Sequence, residues 1–322
     1  MKKQFKRSVS FLMAIMMVVG VFSTMPFTAS AAGVDYNHNA STSTDEYYNL
    51  ISKTDWDNAP GISESEIVLN NDAGDYRQVV HIMKADANNS YVSIIPTYSE
   101  MNASKYQTGT MLDQANWIDE NMDGEVVGVM NCCLSWYSGY PADRVGEPLG
   151  FMMMNGEIMF DPGNCGYAYG NVGFPTCVVI NKDFDDNGNP RPSDIPKVEM
   201  PQIRSSADLD GWEETVIPVS SGYIVKDGVN QSKAAHKTDP APRSVVGITA
   251  DGQVVMMEND GRQSPFSAGM NMYECAEVMI AAGCVFAANC DGGGSSTFVS
   301  QRPGEELKVT NSPSDGGLRP ST

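Results

Sequence analysis

Histidine and positive charge are what this 322-residue chain has least of. It has three histidines, and 21 lysines and arginines against 40 aspartates and glutamates, a formal net charge of −19. None of His38, His81 and His236 falls at ligand spacing with a cysteine, which speaks against zinc, and a Ser/His/Asp or Cys/His engine is poorly supported. The acidic balance excludes a nucleic-acid-binding surface. A phosphate-bearing substrate would have to be recognised locally, by a few cations. Arg144, Arg243, Arg262, Arg302 and Arg319 are the candidates.

Long apolar runs are absent but for one, from Phe11 to Phe22, and it is shorter than the roughly 20 residues of a membrane-spanning helix. It follows Lys2, Lys3, Lys6 and Arg7 and precedes Ala29-Ser30-Ala31, the pattern of a signal peptide over 1–31 with its small-residue cleavage site. The mature chain is expected to start at Ala32, to be secreted, and to have no stable membrane anchor. Losing four basic residues and no acidic ones takes its formal charge from −19 to −23. The seven cysteines, Cys132, Cys133, Cys165, Cys177, Cys275, Cys284 and Cys290, are odd in number and fit no disulfide framework. Several lie in apolar runs, where a thiol acts as a small core hydrophobe. Disulfides stay open in an exported protein, with no connectivity readable.

No short-period repeat is present. Residues 32–75 are read as a polar linker or arm and 76–322 as one domain, long enough for a buried core. Met111, Ala115, Ile118 and Met122 predict a helix capped by Thr110. Met272, Cys275, Ala276 and Met279 predict another, capped by Asn271 and ended by Gly283. Each feeds an apolar strand ending in Asn-Cys, Val126–Met130 into Asn131-Cys132 and Val285–Ala288 into Asn289-Cys290. Further strands are predicted at Val79–Met83, Tyr91–Ile95, Phe151–Met154, Cys177–Ile180, Val216–Val219, Ser244–Thr249 and Val254–Glu258, with Asp251-Gly252 as a hairpin turn. The fold expected is α+β: a single domain of mixed β-sheet with a few helices, behind the signal peptide and polar arm.

Asp291-Gly292-Gly293-Gly294-Ser295-Ser296 is the stretch best suited to chemistry. Three successive glycines weaken any strand or helix, so a fold keeps them where the main chain bends sharply or touches a ligand. A carboxylate then sits beside bare amides and two hydroxyls, a setting for an anionic or hydroxyl-rich partner. A glycine-rich hairpin turn is the competing reading. Asp183, Asp185, Asn187 and Gly188 match the opening of a calcium loop, but the twelfth position is Asp194, and Pro190, Arg191 and Pro192 favour a solvent turn. No metal site and no cofactor are expected.

Other segments gain meaning together. Arg243 precedes Val245-Val246-Gly247-Ile248, Asp260-Gly261-Arg262 follows the return strand, and Asn311-Ser312-Pro313-Ser314-Asp315 lies beyond the glycine loop, with Arg319-Pro320 after it. Taken in order with Asn289-Cys290-Asp291-Gly292-Gly293-Gly294-Ser295-Ser296, these pieces resemble the phosphodiester glycosidase family over roughly residues 76–322. Asn131, at the end of an apolar strand, and Gly146-Glu147-Pro148-Leu149-Gly150 followed by Asn155-Gly156 resemble the family's upstream segments. The chain departs from the pattern at Cys132-Cys133-Leu134-Ser135-Trp136, where the family usually has Gly and aromatic residues. Proteins of this kind also tend to continue past Arg-Pro into another strand, so with Thr322 last the C-terminus is read as truncated or lacking that strand.

The resemblance implies hydrolysis of a sugar joined through its anomeric carbon to a phosphate, in a glycan or cell-surface polymer. A phosphate leaving group is weakly basic and calls for charge neutralisation more than protonation, a demand that arginine's planar fork meets. Arg243 and Arg262 are assigned to it. Asp291 is the first choice for the catalytic carboxylate, with Asp260 and Glu147 as candidates for the second. Taken alone, Asp260 in Asp-Gly reads as a turn residue and Glu147 before Pro148 as a solvated loop acid. Asn131 would hold sugar hydroxyls, and Gly292, Gly293, Gly294, Ser295, Ser296 and Asp315 would complete substrate binding. The alternatives are a non-catalytic glycan-binding surface module and a hydrolase of ordinary α-glycosides.

Overall fold

A computed structural model describes residues 48–71, 73–99, 109–135, 146–163, 175–232 and 238–315. The predicted signal peptide and Trp136, Arg144, Cys165, Arg319 and Pro320 lie outside these. The first strands are β1 (Tyr48–Ala59), β2 (Ile62–Asn71), β3 (Gln78–Asp86), β4 (Gly128–Met130), β5 (Met152–Met154), β6 (Glu157–Phe160), β7 (Cys177–Asn181) and β8 (Val198–Glu199). After them come β9 (Glu213–Pro218), β10 (Tyr223–Lys226), β11 (Val229–Asn230), β12 (Arg243–Thr249), β13 (Gln253–Asn259), β14 (Cys284–Asn289), β15 (Phe298–Ser300) and β16 (Lys308–Val309). Two α-helices join them, α1 (Met111–Asn121) and α2 (Met272–Ala281). This is an α+β domain dominated by sheet.

Eight strands pair in the order β1-β2-β3-β13-β12-β14-β10-β11, three as β16-β15-β4, and five as β6-β5-β9-β7-β8. Every pairing is antiparallel among the described residues. The main core lies between the sheets, where Met83, Val246, Ile248 and Val254 meet Val178 and Ile180 of β7, with Met130 and Phe298 from the small sheet. The alternate β7 residues Cys177 and Val179 face a second cluster around Phe151 and Val216. A strand buried on both faces has no polar alternation, hence the run Cys177-Val178-Val179-Ile180. Each such side chain contributes about 1.5–3 kcal/mol by leaving water.

Both helices begin where the sequence places them. Thr110 accepts the Asp113 backbone N–H, and Asn271 forms a reciprocal capping box with Glu274. Gly283 follows α2 with a φ of +95°, which a Cβ would disfavour. The Asp251-Gly252 turn closes the β12–β13 hairpin as expected.

Two readings need correction. Residues 48–71, taken as part of a polar arm, form a β-hairpin closed by Pro60-Gly61 and zipped onto β3 from Ile62↔Ala85 to Leu69↔Gln78. Strand β1 is largely exposed and carries Lys53, Asp55 and Asp57, so the apolar alternation that betrays a strand is missing. Tyr91–Ile95, predicted as a strand, is irregular. Its entry is fixed by a turn in which Asn89 accepts the N–H groups of Tyr91 and Val92, and Ile94 packs on the core without a ladder partner.

Candidate active site

The glycine loop is placed by two neighbouring antiparallel strands. Register pairs Val245 with Asn289, so the start of β12 and the end of β14 meet, and Arg243 arrives beside Asp291-Gly292. The Cys290 N–H donates to the Ser244 carbonyl at 2.7 Å and the Gly293 N–H to the Pro242 carbonyl at 2.9 Å. Gly293–Ser295 form a single 3-10 turn. The N–H groups of Gly292 and Gly294 have no hydrogen-bond acceptor among the described residues. Bare amides of this kind bind anions.

Each glycine has a neighbour that a methyl group would crowd. A Cβ on Gly292 would lie 3.1 Å from the Pro242 carbonyl oxygen and 3.7 Å from Arg243 Cδ. On Gly293 it would lie 3.3 Å from the Arg262 guanidinium nitrogens, and on Gly294 it would collide with the Asp315 carboxylate. Arg243, Arg262, Asp315 and the loop therefore share one locus. Arg262 is exposed and has a φ of +59°, a left-handed conformation that costs a non-glycine residue about 1–2 kcal/mol. The Arg243 guanidinium is partly committed, donating to the carbonyls of Met270 at 2.9 Å and Asp239 at 3.1 Å.

Asn131 is brought to the loop, but as a clamp. It is 1 % exposed, donates to the Asp291 carbonyl at 2.5 Å, and accepts from Ser244 Oγ at 2.8 Å and the Thr297 N–H at 2.9 Å. The Asp291 N–H donates to the Cys132 carbonyl at 2.8 Å, and the sulfurs of Cys132 and Cys290 are 3.3 Å apart. Burial raises the Cys290 thiol well above its ordinary pKa, and the adjacent Cys132 adds to the shift. Glu147 is half-buried in a segment tied to the chain after Asn131, through a Ser135–Pro148 bridge and the Leu149 N–H to the Leu134 carbonyl.

Asp260 lies beneath the loop at 1 % exposure. Its Oδ1 accepts from the Ser312 N–H at 2.7 Å and Asn311 Nδ2 at 3.3 Å, while Asn311 also donates to the Ser296 carbonyl at 3.2 Å and accepts the Phe298 N–H at 2.8 Å. Two residues outside the sequence-derived candidates accompany it. His81 Nε2 stands 3.7 Å from Asp260 Oδ2, its ring stacked on Phe298, and Glu258 is fully buried. Burial raises the Glu258 carboxyl pKa well above the ordinary range, and the Asp260 charge adds to the shift. A charged residue in the apolar run Val254-Val255-Met256-Met257-Glu258 was the one available hint.

The remaining candidates sit elsewhere. Arg302 pairs with Glu64 at 2.8 Å and Glu66 at 3.2 Å and stacks over Trp56 at 3.7 Å, a brace to the N-terminal hairpin. In the calcium-like loop, Lys197 and Arg191 pair with Asp183, and Asp185 accepts the N–H groups of Asn187 and Asn189. That is a self-contained turn.

Residues 136–321 match the family model for phosphodiester glycosidase. The chain belongs to the phosphodiester glycosidase family. Over 105 residues it is 42% identical to bovine (Bos taurus) N-acetylglucosamine-1-phosphodiester alpha-N-acetylglucosaminidase, covering 27% of this chain and 20% of that one. Over 177 residues it is 28% identical to the SPbeta prophage-derived uncharacterized protein YomE of Bacillus subtilis (strain 168), covering 53% and 24% respectively. The matches thus span about a quarter or less of these relatives. The catalytic domain of zebrafish N-acetylglucosamine-1-phosphodiester alpha-N-acetylglucosaminidase, auto-inhibited by its pro-peptide, has the same fold. The likeness covers 92% of each chain with a TM-score of 0.54 at 15% identity. Among the described residues no helix is long and apolar enough to cross a membrane.

Proposed function

We propose that this phosphodiester glycosidase is an exported hydrolase that cleaves a sugar from a sugar-1-phosphodiester in a glycan or cell-surface polymer. Water adds at the anomeric carbon as the bond to the phosphate oxygen breaks, releasing the free sugar and a phosphomonoester. One observation carries the reading: the β12–β14 register sets Arg243 beside the bare amides of the glycine loop, with the Arg262 guanidinium on the same turn. Two cations and unpartnered N–H donors suit a leaving group whose charge grows as the bond breaks. Asp291 is assigned the catalytic carboxylate at the anomeric centre, with Asp315, which covers Gly294, or Glu147 as the second. Asn131 and Asp260 act at one remove, as positioning residues for the loop. The name of the bovine relative supports an N-acetylated hexosamine as the first sugar to try.

The test is release of reducing sugar from N-acetylglucosamine-1-phosphate diesters and from a phosphate-free α-glycoside. Asp291→Asn is expected to lower kcat roughly 10²–10⁴-fold with binding retained. Arg262→Ala is expected to lower kcat/KM roughly 10–100-fold on the diester alone. Binding without turnover would favour a glycan-binding module. Turnover of the phosphate-free glycoside, indifferent to Arg262→Ala, would favour ordinary α-glycoside hydrolysis.

A further inference from the structure

We infer that His81, Glu258 and Asp260 form a buried site for one first-row divalent cation, of the Zn²⁺ or Mn²⁺ kind, directly beneath the glycine loop. Register brings the three together: His81 lies opposite Glu258 across the β3–β13 pair, and Asp260, two residues on from Glu258, continues the same face. One nitrogen and two carboxylate oxygens lie within 4.8 Å of one another, and His81 Nε2 is 3.7 Å from Asp260 Oδ2. Bonds of about 2.0–2.2 Å to a shared ion put two ligands roughly 3–4 Å apart. A small inward closure completes the set.

The independent observation is what these groups lack. Both Glu258 oxygens, Asp260 Oδ2 and His81 Nδ1 are buried without a hydrogen-bond partner. Among the described residues no lysine or arginine pairs with either acid, and the Asn311 amide donates to Asp260 Oδ1 at 3.3 Å. Two acids without a paired cation in a dry interior cost several kcal/mol each when ionised, so the charged forms call for a counter-charge. A divalent ion neutralises both acids and uses the imidazole. An N/O set of three, with a fourth position open, suits zinc or manganese better than calcium, which takes six to eight oxygens, or magnesium, which keeps its waters. An ion here would stiffen Asp260 and, through Asn311 and Ser312, the exit of the Ser296 turn.

The test is metal content and does not depend on turnover. The full chain is exposed to Zn²⁺ or Mn²⁺, freed of excess by gel filtration, and measured by elemental mass spectrometry and by thermal unfolding. Expected are one ion per chain in wild type and in Asp291→Asn, a melting temperature several degrees above the chelated form, and loss of the ion in Glu258→Gln. X-ray absorption on the wild type, which needs no variant to fold, should give a shell of nitrogen and oxygen neighbours at about 2.0–2.2 Å with the outer-shell scattering of one imidazole. No retained ion, or an ion retained equally by Glu258→Gln, overturns the site. A Glu258→Gln chain that is metal-free and more stable than wild type would assign the counter-charge to a proton.

Discussion

Asn131 illustrates how one side chain can decide a loop. Its amide satisfies three groups, the Asp291 carbonyl, the Ser244 hydroxyl and the Thr297 N–H, the last two in fully buried residues. Removing it strands those partners, and each unsatisfied buried group costs about 1–3 kcal/mol. Asn131→Ala is therefore expected to lower unfolding stability by on the order of 2–3 kcal/mol in urea titration, and to lower diester turnover in the fraction that stays folded. Asn131→Asp keeps the acceptor but sets a carboxylate against the Asp291 carbonyl, and should lose activity as well. The resemblance to the family's Asn at the end of an apolar strand placed Asn131 at the site and implied that its amide holds sugar hydroxyls. Only the contacts reveal that its donor and acceptor are already in use.

At the scale of elements, the site depends on backbones packed too closely to admit a side chain. A Cβ on Gly261 would stand 2.5 Å from Pro242 N and 2.8 Å from Gly269 Cα, so the Asp260-Gly261-Arg262 turn is seated against the entry to β12. Gly261→Ala is expected to cost about 1–3 kcal/mol, visible as a lower urea midpoint, and to weaken phosphate recognition by displacing Arg262. Strand β12 shows the same limit, since a Cβ on Gly247 would meet the Phe286 carbonyl at 2.7 Å and Met279 Cε at 2.8 Å where α2 packs. The helices, the β12–β13 hairpin and the glycine loop were legible because each carries a local signal: a cap, a period, a turn dipeptide. Strand β1 was not, because an exposed edge strand needs only backbone pairing on one side and can carry Thr, Asp and Lys throughout.

Across the whole molecule, the N-terminal hairpin is tied to the chain beyond β15 by one cation. Arg302 covers Trp56 and pairs with Glu64, whose side chain is fully buried. Arg302→Ala leaves that carboxylate inside with the Asn58 amide as its one remaining side-chain partner among the described residues, and breaking a buried pair from one side costs roughly 3–5 kcal/mol. A drop of that size in denaturant unfolding, with KM for the diester little changed, would mark Arg302 as structural. The sequence grouped Arg302 with Arg243 and Arg262 as an anion-binding candidate, because charge and position are readable where pairing is not.

The order of residues was enough to set the class of fold, the two capped helices and the family, because these rest on signals spanning a few neighbouring positions. It was also enough to bring Arg243, Arg262, Asp291 and Asp315 under suspicion. Which side chains meet was left to strand register and sheet order: His81 opposite Glu258, Asn131 under Asp291, and Asp260 turned inward to hold Ser312. Those contacts join residues from about 50 to 180 positions apart, and no local propensity encodes a distance of that kind.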